Sequence, residues 1–344
     1  MLTMISIFSV ILPGCRQGRL LVLVLLFTIS EVYSQTIESR LPVIDIHIHA
    51  NSVSNIGPPS DPPLVLPYND PVNDWVKTYS EWYSNPEYKN PASTDKELMD
   101  QTLEIFEQYN IYAMICGNHL DEYIKYGGKR IFPGLAFSMN NGSTPEEIKR
   151  LLSSGKYKVF GEVAIQYEGL TPSDSLFEPY LKIAEELDIP LAIHIGPGPP
   201  GAPYIPGIGR FRARLNSPLI IEEALVLHPK LRVCIMHAGW PMLDDMLAVL
   251  WTYPQVYVDV GLICYAIPRA EFYTYLKRIV DAGFGKRIMY GSDQMNWPNS
   301  TEVGINSIEN APFLSTDQKR DILYNNAARF LRLSNEEIAD HHSN

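Results

Sequence analysis

The chain has 344 residues, and 46% of them are hydrophobic, which is ordinary for a globular protein and allows a large core. Its formal net charge of −11 argues against a nucleic-acid-binding surface. The length could hold two average domains, but an α/β barrel often forms one domain of comparable size. We therefore expect a soluble enzyme or binding protein with a small-molecule partner and no nucleic-acid partner.

The N-terminus differs in character from the rest of the chain. Arg16 and Arg19 precede the apolar run LLVLVLLFTI (residues 20–29), and small residues near Ser34 offer a cleavage site. This order is typical of a secretory signal peptide, so we expect residues 1–34 to be removed and residues 35–344 to form one secreted or periplasmic domain. The apolar run is short for a membrane span, so a membrane anchor, or a lipid anchor at LPGC, is the second choice.

From residue 41 onward, short apolar runs rich in β-branched residues alternate with longer segments of helical pattern, which indicates repeated βα units. The runs predicted as strands are 42–49, 111–117, 130–137, 158–165, 190–195, 231–237, 256–261 and 287–292. Eight strands with intervening helices favour one closed (β/α)8 TIM barrel over two doubly wound domains.

Amphipathic stretches between these strands have apolar residues at helical spacing and predict the helices of the barrel. They lie at 94–110, 144–155, 175–188, 218–229, 241–254, 271–283 and 316–333. Thr94 and Thr144 each precede a glutamate by three residues, which is typical of a helix start. Two loops are long, 51–93 after strand 1 and 196–217 after strand 5. Because both follow strands of a barrel, we expect them to line or cap a pocket.

Polar residues stand at the carboxyl ends of several predicted strands. In IDIHIHA (residues 44–50), His47 and His49 lie two residues apart, so both imidazoles should point to the same side of strand 1. Later strands end in further polar residues, Glu162, His194, His237 and Asp293. Each alone has a structural explanation, as a buried histidine with hydrogen bonds or a helix cap. A barrel brings them around one axis, so together they predict a divalent-metal site.

The other histidines and the cysteines lack this placement. We expect His119, after strand 2, to serve a loop or helix cap, and assign no function to His228, His341 and His342. The cysteines beyond the predicted signal peptide lie in or beside apolar strand-like stretches, at Cys116, Cys234 and Cys264. An odd number implies no disulfide framework, so we expect small buried hydrophobic side chains.

This ordered set resembles the amidohydrolase superfamily, specifically its amidohydrolase-2 branch, which is similar to aminocarboxymuconate-semialdehyde decarboxylase. The resemblance spans residues 41–333. The matching segments are DIHIHA on strand 1, GEV on strand 4, IHIG on strand 5, HPKLRVCIMHAG into strand 6, YGSDQ on strand 8, and the closing NNAARFL.

The resemblance implies a set of metal ligands. One divalent metal would be held by His47, His49, His194 and Asp293, with zinc as the first choice and manganese, iron or cobalt as alternatives. Glu162 matches a position where some relatives bridge a second metal, so the site would hold one ion or two. A bound Zn²⁺ lowers the pKa of its water from about 15.7 towards about 7.

The resemblance also implies catalytic roles, to which the sequence adds substrate-binding candidates. Asp293 would take the water proton and pass it to the leaving group, and His237 would stand beside the reacting group. A substrate carboxylate could be held by arginines of the long strand-5 loop, Arg210, Arg212 and Arg214, which would share one side of an extended segment. A solvated basic stripe is the alternative. Trp75, in the long strand-1 loop, is a further candidate.

Three functions remain open from the sequence. The first choice is metal-dependent hydrolysis of a small molecule with a carbonyl-centred bond, such as a lactone, amide or ester. The alternative is a metal-dependent, non-oxidative decarboxylase of the same fold, in which Asp293 or His237 handles the proton. A barrel that binds a metal or ligand without catalysis is the third hypothesis, and the intact ligand set argues against it. We expect no membrane span after signal cleavage, and a homodimer is compatible with the sequence.

Overall fold

Eight parallel strands of the described chain form one sheet whose spatial order follows the sequence. They are β1 (Val43–His49), β2 (Ile111–Cys116), β3 (Ile131–Phe137), β4 (Val159–Val163), β5 (Leu191–His194), β6 (Val233–Met236), β7 (Val256–Asp259) and β8 (Ile288–Met289). The segment after β8 returns to β1, because the Asp293 N–H donates to the His47 carbonyl at 2.8 Å. The sheet is therefore a nearly closed barrel, and the prediction of a TIM barrel is confirmed.

The computed structural model describes residues 40–56, 92–199, 202–204 and 207–343. The predicted signal peptide and Trp75 lie outside these residues, so both remain predictions. Among the helices of the described part, none has the length and apolar character needed to cross a membrane.

Helices cover the outside of the barrel. They are α1 (Asp95–Tyr109), α2 (Leu120–Gly127), α3 (Pro145–Leu152), α4 (Glu178–Glu186), α5 (Glu222–Leu227), α6 (Leu243–Thr252), α7 (Ile263–Ala266), α8 (Arg269–Ile279), α9 (Asn299–Glu309), α10 (Thr316–Arg320), α11 (Asn326–Leu331) and α12 (Asn335–Ser343). The hydroxyl groups of Thr94 and Thr144 accept from the backbone N–H groups of Glu97 and Glu147, so both predicted helix starts are present.

Some helices depart from the pattern expected from the sequence. The predicted helix at 316–333 is interrupted by a π-helical turn, Asp321–Asn325, between α10 and α11. Helices α2, α7, α9 and α12 were not predicted. The buried face of α9 includes Ser300, Thr301 and Ser307, so apolar periodicity does not reveal it. His341 in α12 is buried and stacks on Tyr112, with ring centroids 3.5 Å apart, and so has a packing role.

The core has two layers. The larger cluster lies between strands and helices and includes Ile48 of β1, whereas the smaller cluster includes Ile44 and Ile46 of the same strand. The pairing of β1 with β2 shifts register between Asp45 and Ile48, which breaks the simple alternation expected for IDIHIHA. The cysteines of the described chain are free and buried, as expected.

Candidate active site

The mouth of the barrel at the carboxyl end of β1 holds a first group of metal-type donors. The Nε2 atom of His49 lies 3.0 Å from Oδ1 of Asp293 and 3.4 Å from Oε2 of Glu162. The Nε2 atom of His47 lies 3.4 Å from the same oxygen of Asp293. One donor atom each from His47, His49 and Asp293 lies within 4.8 Å of the others, close enough for a single ion.

A second group lies beside the first, at the ends of β4, β5 and β6. The Nδ1 atom of His194 lies 2.7 Å from Oε1 of Glu162 and 3.0 Å from Nε2 of His237. Glu162, His194 and His237 also offer donors within 4.8 Å of one another. Glu162 approaches His49 with one oxygen and His194 with the other, so its carboxylate spans the two groups.

The histidines of β1 each have one ring nitrogen against a partner behind the site. Asp259, the last residue of β7, places Oδ2 3.2 Å from Nδ1 of His47. The Sγ atom of Cys116, the last residue of β2, lies 3.9 Å from Nδ1 of His49. The Nε2 atoms of both rings are therefore the ones that face the centre of the site, as in a metal site whose ligands are oriented from behind.

The other two histidines follow the same rule with different partners. The Nδ1 atom of His237 lies 2.9 Å from the carbonyl oxygen of Gly261, an acceptor, so this nitrogen carries the proton. The Nε2 atom of His194 lies 3.2 Å from the hydroxyl oxygen of Tyr167. Nε2 of His237 and Nδ1 of His194 consequently face each other inside the site.

The donor set fits a divalent metal on a further observation. Both ring nitrogens of His47 are buried, and neither makes a hydrogen bond of good geometry in the structure. A buried polar group without a partner is unfavourable, whereas an imidazole nitrogen aimed at a carboxylate and a second imidazole is a suitable metal ligand. A cation bound among His47, His49 and Asp293 would satisfy the unpaired Nε2 atom.

Three carboxylates of this site are held in their charged form, those of Glu162, Asp293 and Asp259. Burial alone would raise the pKa of Glu162, but hydrogen bonding and the charges of neighbouring histidines hold the pKa well below its usual range. Burial opposes the ionised form of Asp293 and Asp259 in the same way, and the charge of His47 leads the interactions that lower the pKa of each. These carboxylates therefore contribute negative charge that a cation can balance.

Two imidazoles supply the balancing charge. Burial would lower the pKa of His47, but the charges of Asp293 and Asp259 outweigh it and raise the pKa to about 9. For His49 as well, the lowering by burial is outweighed, and its hydrogen bond to Asp293 helps to hold its pKa well above the ordinary value. Burial and the charge of His194 lower the pKa of His237 to about 4. Protons thus occupy the first group, where a divalent cation would replace them.

Two buried acids of the site were not singled out in the sequence. Asp259 accepts hydrogen bonds at Oδ1 from the backbone N–H groups of His237 (2.9 Å) and Gly261 (2.8 Å). Asp45 accepts at Oδ1 from the N–H groups of His47 (3.0 Å) and Ser292 (2.9 Å). A lone acid inside an apolar strand, as in VYVDV and VIDIH, was the available signal.

The backbone of the site includes unusual conformations. His237 (φ 61°) and Asp293 (φ 52°) are non-glycine residues in the left-handed region. Such residues cost about 1–3 kcal/mol each and persist where the surroundings fix them, often at functional sites. A Cβ atom on Gly261 would lie 2.7 Å from Nδ1 of His47, so only glycine allows the chain after β7 to approach this ring.

The predicted substrate-binding arginines lie in the loop that follows β5. Arg210, Arg212 and Arg214 are all exposed, and Arg214 belongs to the 3-10 turn Ala213–Asn216. The three are therefore not part of one extended segment. The guanidinium group of Arg212 donates to backbone carbonyls of its own loop. Their role in binding substrate remains a prediction.

His119, expected in a loop or a helix cap, directly precedes α2 at the N-cap position, although its ring makes no capping hydrogen bond. The ring contacts Asp95 and Glu122 outside the donor groups. His228 directly follows α5, where its ring lies 3.2 Å from Glu185.

Solved structures of other proteins share this fold. An uncharacterised TIM-barrel protein from Bordetella bronchiseptica is 18% identical, with a TM-score of 0.56 over 87% of this chain and 100% of that one. A dihydroxybenzoic acid decarboxylase from Polaromonas, with bound manganese and the inhibitor 2-nitroresorcinol, is 14% identical, with a TM-score of 0.53 over 86% and 99%. A probable 2-pyrone-4,6-dicarboxylic acid hydrolase from Acinetobacter baumannii, with citric acid bound, is 13% identical, with a TM-score of 0.52 over 85% and 99%.

Sequence comparison identifies the family. No curated protein matches this chain. The amidohydrolase family model matches residues 44–333, a range that contains the barrel from the second residue of β1 to the end of α11 and both donor groups. The protein therefore belongs to the amidohydrolase family and is a metal-dependent enzyme.

Proposed function

We propose that this protein is a metal-dependent, non-oxidative decarboxylase of a small carboxylic acid. The observation that carries the proposal is the convergence of imidazole nitrogens and carboxylates at the barrel mouth, with His49 within 3.4 Å of both Glu162 and Asp293. Support for decarboxylation over hydrolysis comes from the similar structures, among which is a manganese-containing decarboxylase of dihydroxybenzoic acid. This reverses the order of preference reached from the sequence.

When bound among these donors, a divalent ion would supply positive charge that neutralises and orients the substrate carboxylate. The residues around it then have separate tasks. Decarboxylation breaks the bond between the carboxyl carbon and its neighbour, leaves the electron pair on that neighbour, releases CO₂, and requires one proton at the same carbon. A group at the site must therefore hold a proton and deliver it to carbon.

His237 and Asp293 are the two candidates for this proton. His237 has Nδ1 committed to the carbonyl of Gly261, so only Nε2 can exchange a proton within the site. Burial and the charge of His194 lower the pKa of this imidazole to about 4, so it is neutral near pH 7 and would have to take up the proton from a neighbouring group or solvent before delivering it. Asp293 places Oδ1 toward His49 and Oδ2 3.9 Å from Nδ1 of His237. Solvent would restore the proton after each turnover.

Hydrolysis of a lactone, amide or ester is the second candidate function. It is supported by the similar structure of a probable pyrone-dicarboxylic acid hydrolase. In this case Asp293 would accept a proton from the attacking water and transfer it to the leaving group, while His237 would stabilise the developing oxyanion. The same side chains serve both reactions, so the substrate decides between them.

We propose that these donors would hold two ions, with Glu162 offering one oxygen to each donor group. In the predicted four-ligand set, His47 and His49 group with Asp293, whereas His194 groups with Glu162 and His237; a third, overlapping group joins His47 to His237 and Asp259. Imidazole and carboxylate donors accept both zinc and manganese. Zinc was the first choice from the sequence, and the manganese in the similar decarboxylase makes manganese an equal candidate.

We further propose that residues 1–34 direct export, and that the arginines at 210, 212 and 214 together with Trp75 contribute to substrate binding. Mass spectrometry of the protein from a secreting host tests the first proposal, since cleavage after Ser34 gives an N-terminus at Gln35. Loss of carboxylate affinity in single alanine variants, measured against an uncharged analogue, tests the second.

The reaction type can be decided by one experiment. The purified protein is loaded separately with zinc and with manganese, and the bound ions are counted by elemental analysis. The loaded protein is then incubated in oxygen-labelled water with aromatic and unsaturated carboxylic acids, lactones, amides and esters. CO₂ release without incorporation of the oxygen label supports decarboxylation, and incorporation without CO₂ supports hydrolysis. Absence of bound metal after loading would contradict both functions. His119→Gln is a matched control, because His119 contacts Asp95 and Glu122 outside the donor groups.

A further inference from the structure

Tyr167 lies in the short turn that follows β4. This turn, Ile165–Glu168, begins two residues after the end of the strand that carries Glu162. The hydroxyl oxygen of Tyr167 lies 3.2 Å from Nε2 of His194, and the centroids of the two rings are 4.8 Å apart. The phenol thus approaches His194 on the side away from Glu162 and His237, which face Nδ1.

The turn that carries Tyr167 is fixed by the residues on either side of it. The carboxylate of Glu168 accepts the backbone N–H groups of Met139 (3.1 Å) and Asn140 (3.0 Å), which anchors the turn to the loop after β3. Charge-assisted hydrogen bonds of this kind are the stronger class. The Glu168 side chain is buried, so these contacts are sheltered from solvent.

The residue before Tyr167 anchors the turn to a different loop. The side-chain amide of Gln166 donates to the carbonyl of Gly196 (3.1 Å) and to Oδ1 of Asn216 (2.8 Å), both in the loop after β5. The ring of Phe211 lies on Tyr167 with centroids 5.7 Å apart. Tyr167 is therefore held from both neighbouring positions along the chain and from one face of its ring.

We propose that Tyr167 is a positioning residue that directs Nδ1 of His194 toward the metal. A half-turn of a histidine ring about its last side-chain bond would put a carbon where each nitrogen lies, so a partner at one nitrogen fixes the ring orientation and sets which nitrogen carries the proton. With the hydroxyl at Nε2, Nδ1 faces Glu162 and His237. When Nδ1 binds a metal, Nε2 carries the proton and donates to the hydroxyl oxygen of Tyr167, which can act as acceptor.

This proposal rests on the proposed function only in requiring that the second donor group binds metal. It predicts an effect on metal binding, whichever reaction the enzyme catalyses. Removal of a partner that orients a metal-binding histidine typically weakens metal affinity by about 10–100-fold. The affected ion would be the one held by Glu162 and His194, with His237 beside it. The ion held by His47, His49 and Asp293 should retain its affinity.

The test compares Tyr167→Phe with the wild-type protein and with Tyr180→Phe. Tyr180 of α4 donates its hydroxyl to the carbonyl of Ser143 at 2.8 Å, so the control also removes one tyrosine hydrogen bond, away from the donor groups. Metal affinity is measured by competition with a chelator, and thermal unfolding checks that both variants are folded. Cobalt(II)-loaded protein gives a visible spectrum that reports the ligand geometry.

Tyr167→Phe should lose about 10–100-fold in affinity for one ion and change the cobalt spectrum, while Tyr180→Phe keeps both. Unchanged affinity and spectrum in Tyr167→Phe would overturn the proposal, even if the wild-type protein binds metal and turns over substrate. Failure of the wild-type protein to bind metal would instead contradict the proposed function. If Tyr167→Phe does not fold, a measurement on the wild-type protein takes its place. Nuclear magnetic resonance of isotope-labelled histidine in the zinc-loaded protein should show a proton on Nε2 of His194 that exchanges slowly with water. A proton on Nδ1 instead would refute the assignment.

Discussion

Replacing Asp259 by asparagine should weaken metal binding while leaving most of the folding stability intact. The side chain has two separate functions in the structure. Oδ1 accepts backbone N–H groups of His237 and Gly261 at 2.9 and 2.8 Å, and Oδ2 faces Nδ1 of His47 at 3.2 Å. Asparagine keeps an oxygen for the first function and replaces the second oxygen with an NH₂ group.

The effect on the metal follows from the tautomer of His47. An NH₂ group at this position is a donor, so it favours the form of His47 in which Nδ1 has no proton and Nε2 carries one. A protonated Nε2 cannot bind a metal, and loss of such an orienting partner costs about 10–100-fold in metal affinity. Removing the carboxylate charge acts in the same direction, since it lowers the attraction for a cation.

The effect on stability separates asparagine from alanine. Alanine leaves two buried N–H groups without a partner, at about 1–3 kcal/mol each, so Asp259→Ala should lose about 2–6 kcal/mol of unfolding free energy. Asparagine keeps both hydrogen bonds but makes them neutral, which should cost about 1–2 kcal/mol in total. Urea unfolding of the metal-free variants measures both values, and chelator competition measures the affinity.

Two outcomes would refute this reasoning. Wild-type metal affinity in Asp259→Asn would show that Asp259 does not orient His47. Equal losses of stability in the asparagine and alanine variants would show that the two hydrogen bonds at Oδ1 are not the source of the stability. Asp281→Asn is the matched control, because Asp281 is exposed at the surface and forms an ion pair with Lys277.

Further predictions concern protons, turnover and ion number. The pKa of His47 is raised to about 9 and that of His49 lies well above its ordinary value, so metal binding near pH 7 should release about two protons. Metal affinity should therefore rise with pH until the pH passes these pKa values. Calorimetry in buffers of different ionisation enthalpy measures the number of protons released, and release of none would contradict the prediction. Asp293→Asn should abolish turnover with an unchanged circular dichroism spectrum, and normal activity would rule out its proposed role. Glu162→Gln should reduce the metal content from two ions to one in elemental analysis, whereas two retained ions would show that Glu162 does not bridge them.

The barrel could be predicted from the sequence because its strands are buried on both faces. A parallel strand covered by helices is an apolar, β-branched run, and Val43–His49 and Ile111–Cys116 both have this composition. The helices were less uniform. Helix α9 (Asn299–Glu309) buries serine and threonine hydroxyls, and Tyr290 donates to the Thr301 carbonyl at 2.7 Å, so hydrogen bonds rather than apolar contacts hold part of its inner face.

The positions of the candidate metal donors followed from the barrel geometry. The carboxyl ends of all barrel strands lie at one mouth, so histidines and acids at these ends could be grouped without knowledge of distances. Their division into two groups could not be predicted. The division depends on the direction of each ring. The carboxylate of Glu162 lies 3.4 Å from His49 and 2.7 Å from His194, and so small a difference cannot be read from the sequence.

The partners behind the histidines explain why ring directions escape sequence analysis. They are chemically unlike one another: a carboxylate at His47, a thiol at His49, a phenol at His194 and a backbone carbonyl at His237. Each accepts or donates a hydrogen bond, but together they have no shared residue type or spacing. A search for a repeated pattern therefore finds the four rings and misses what directs them. Variants at these partners test the site more sharply than variants at the ligands, because they change which nitrogen faces the metal while every ligand remains in place.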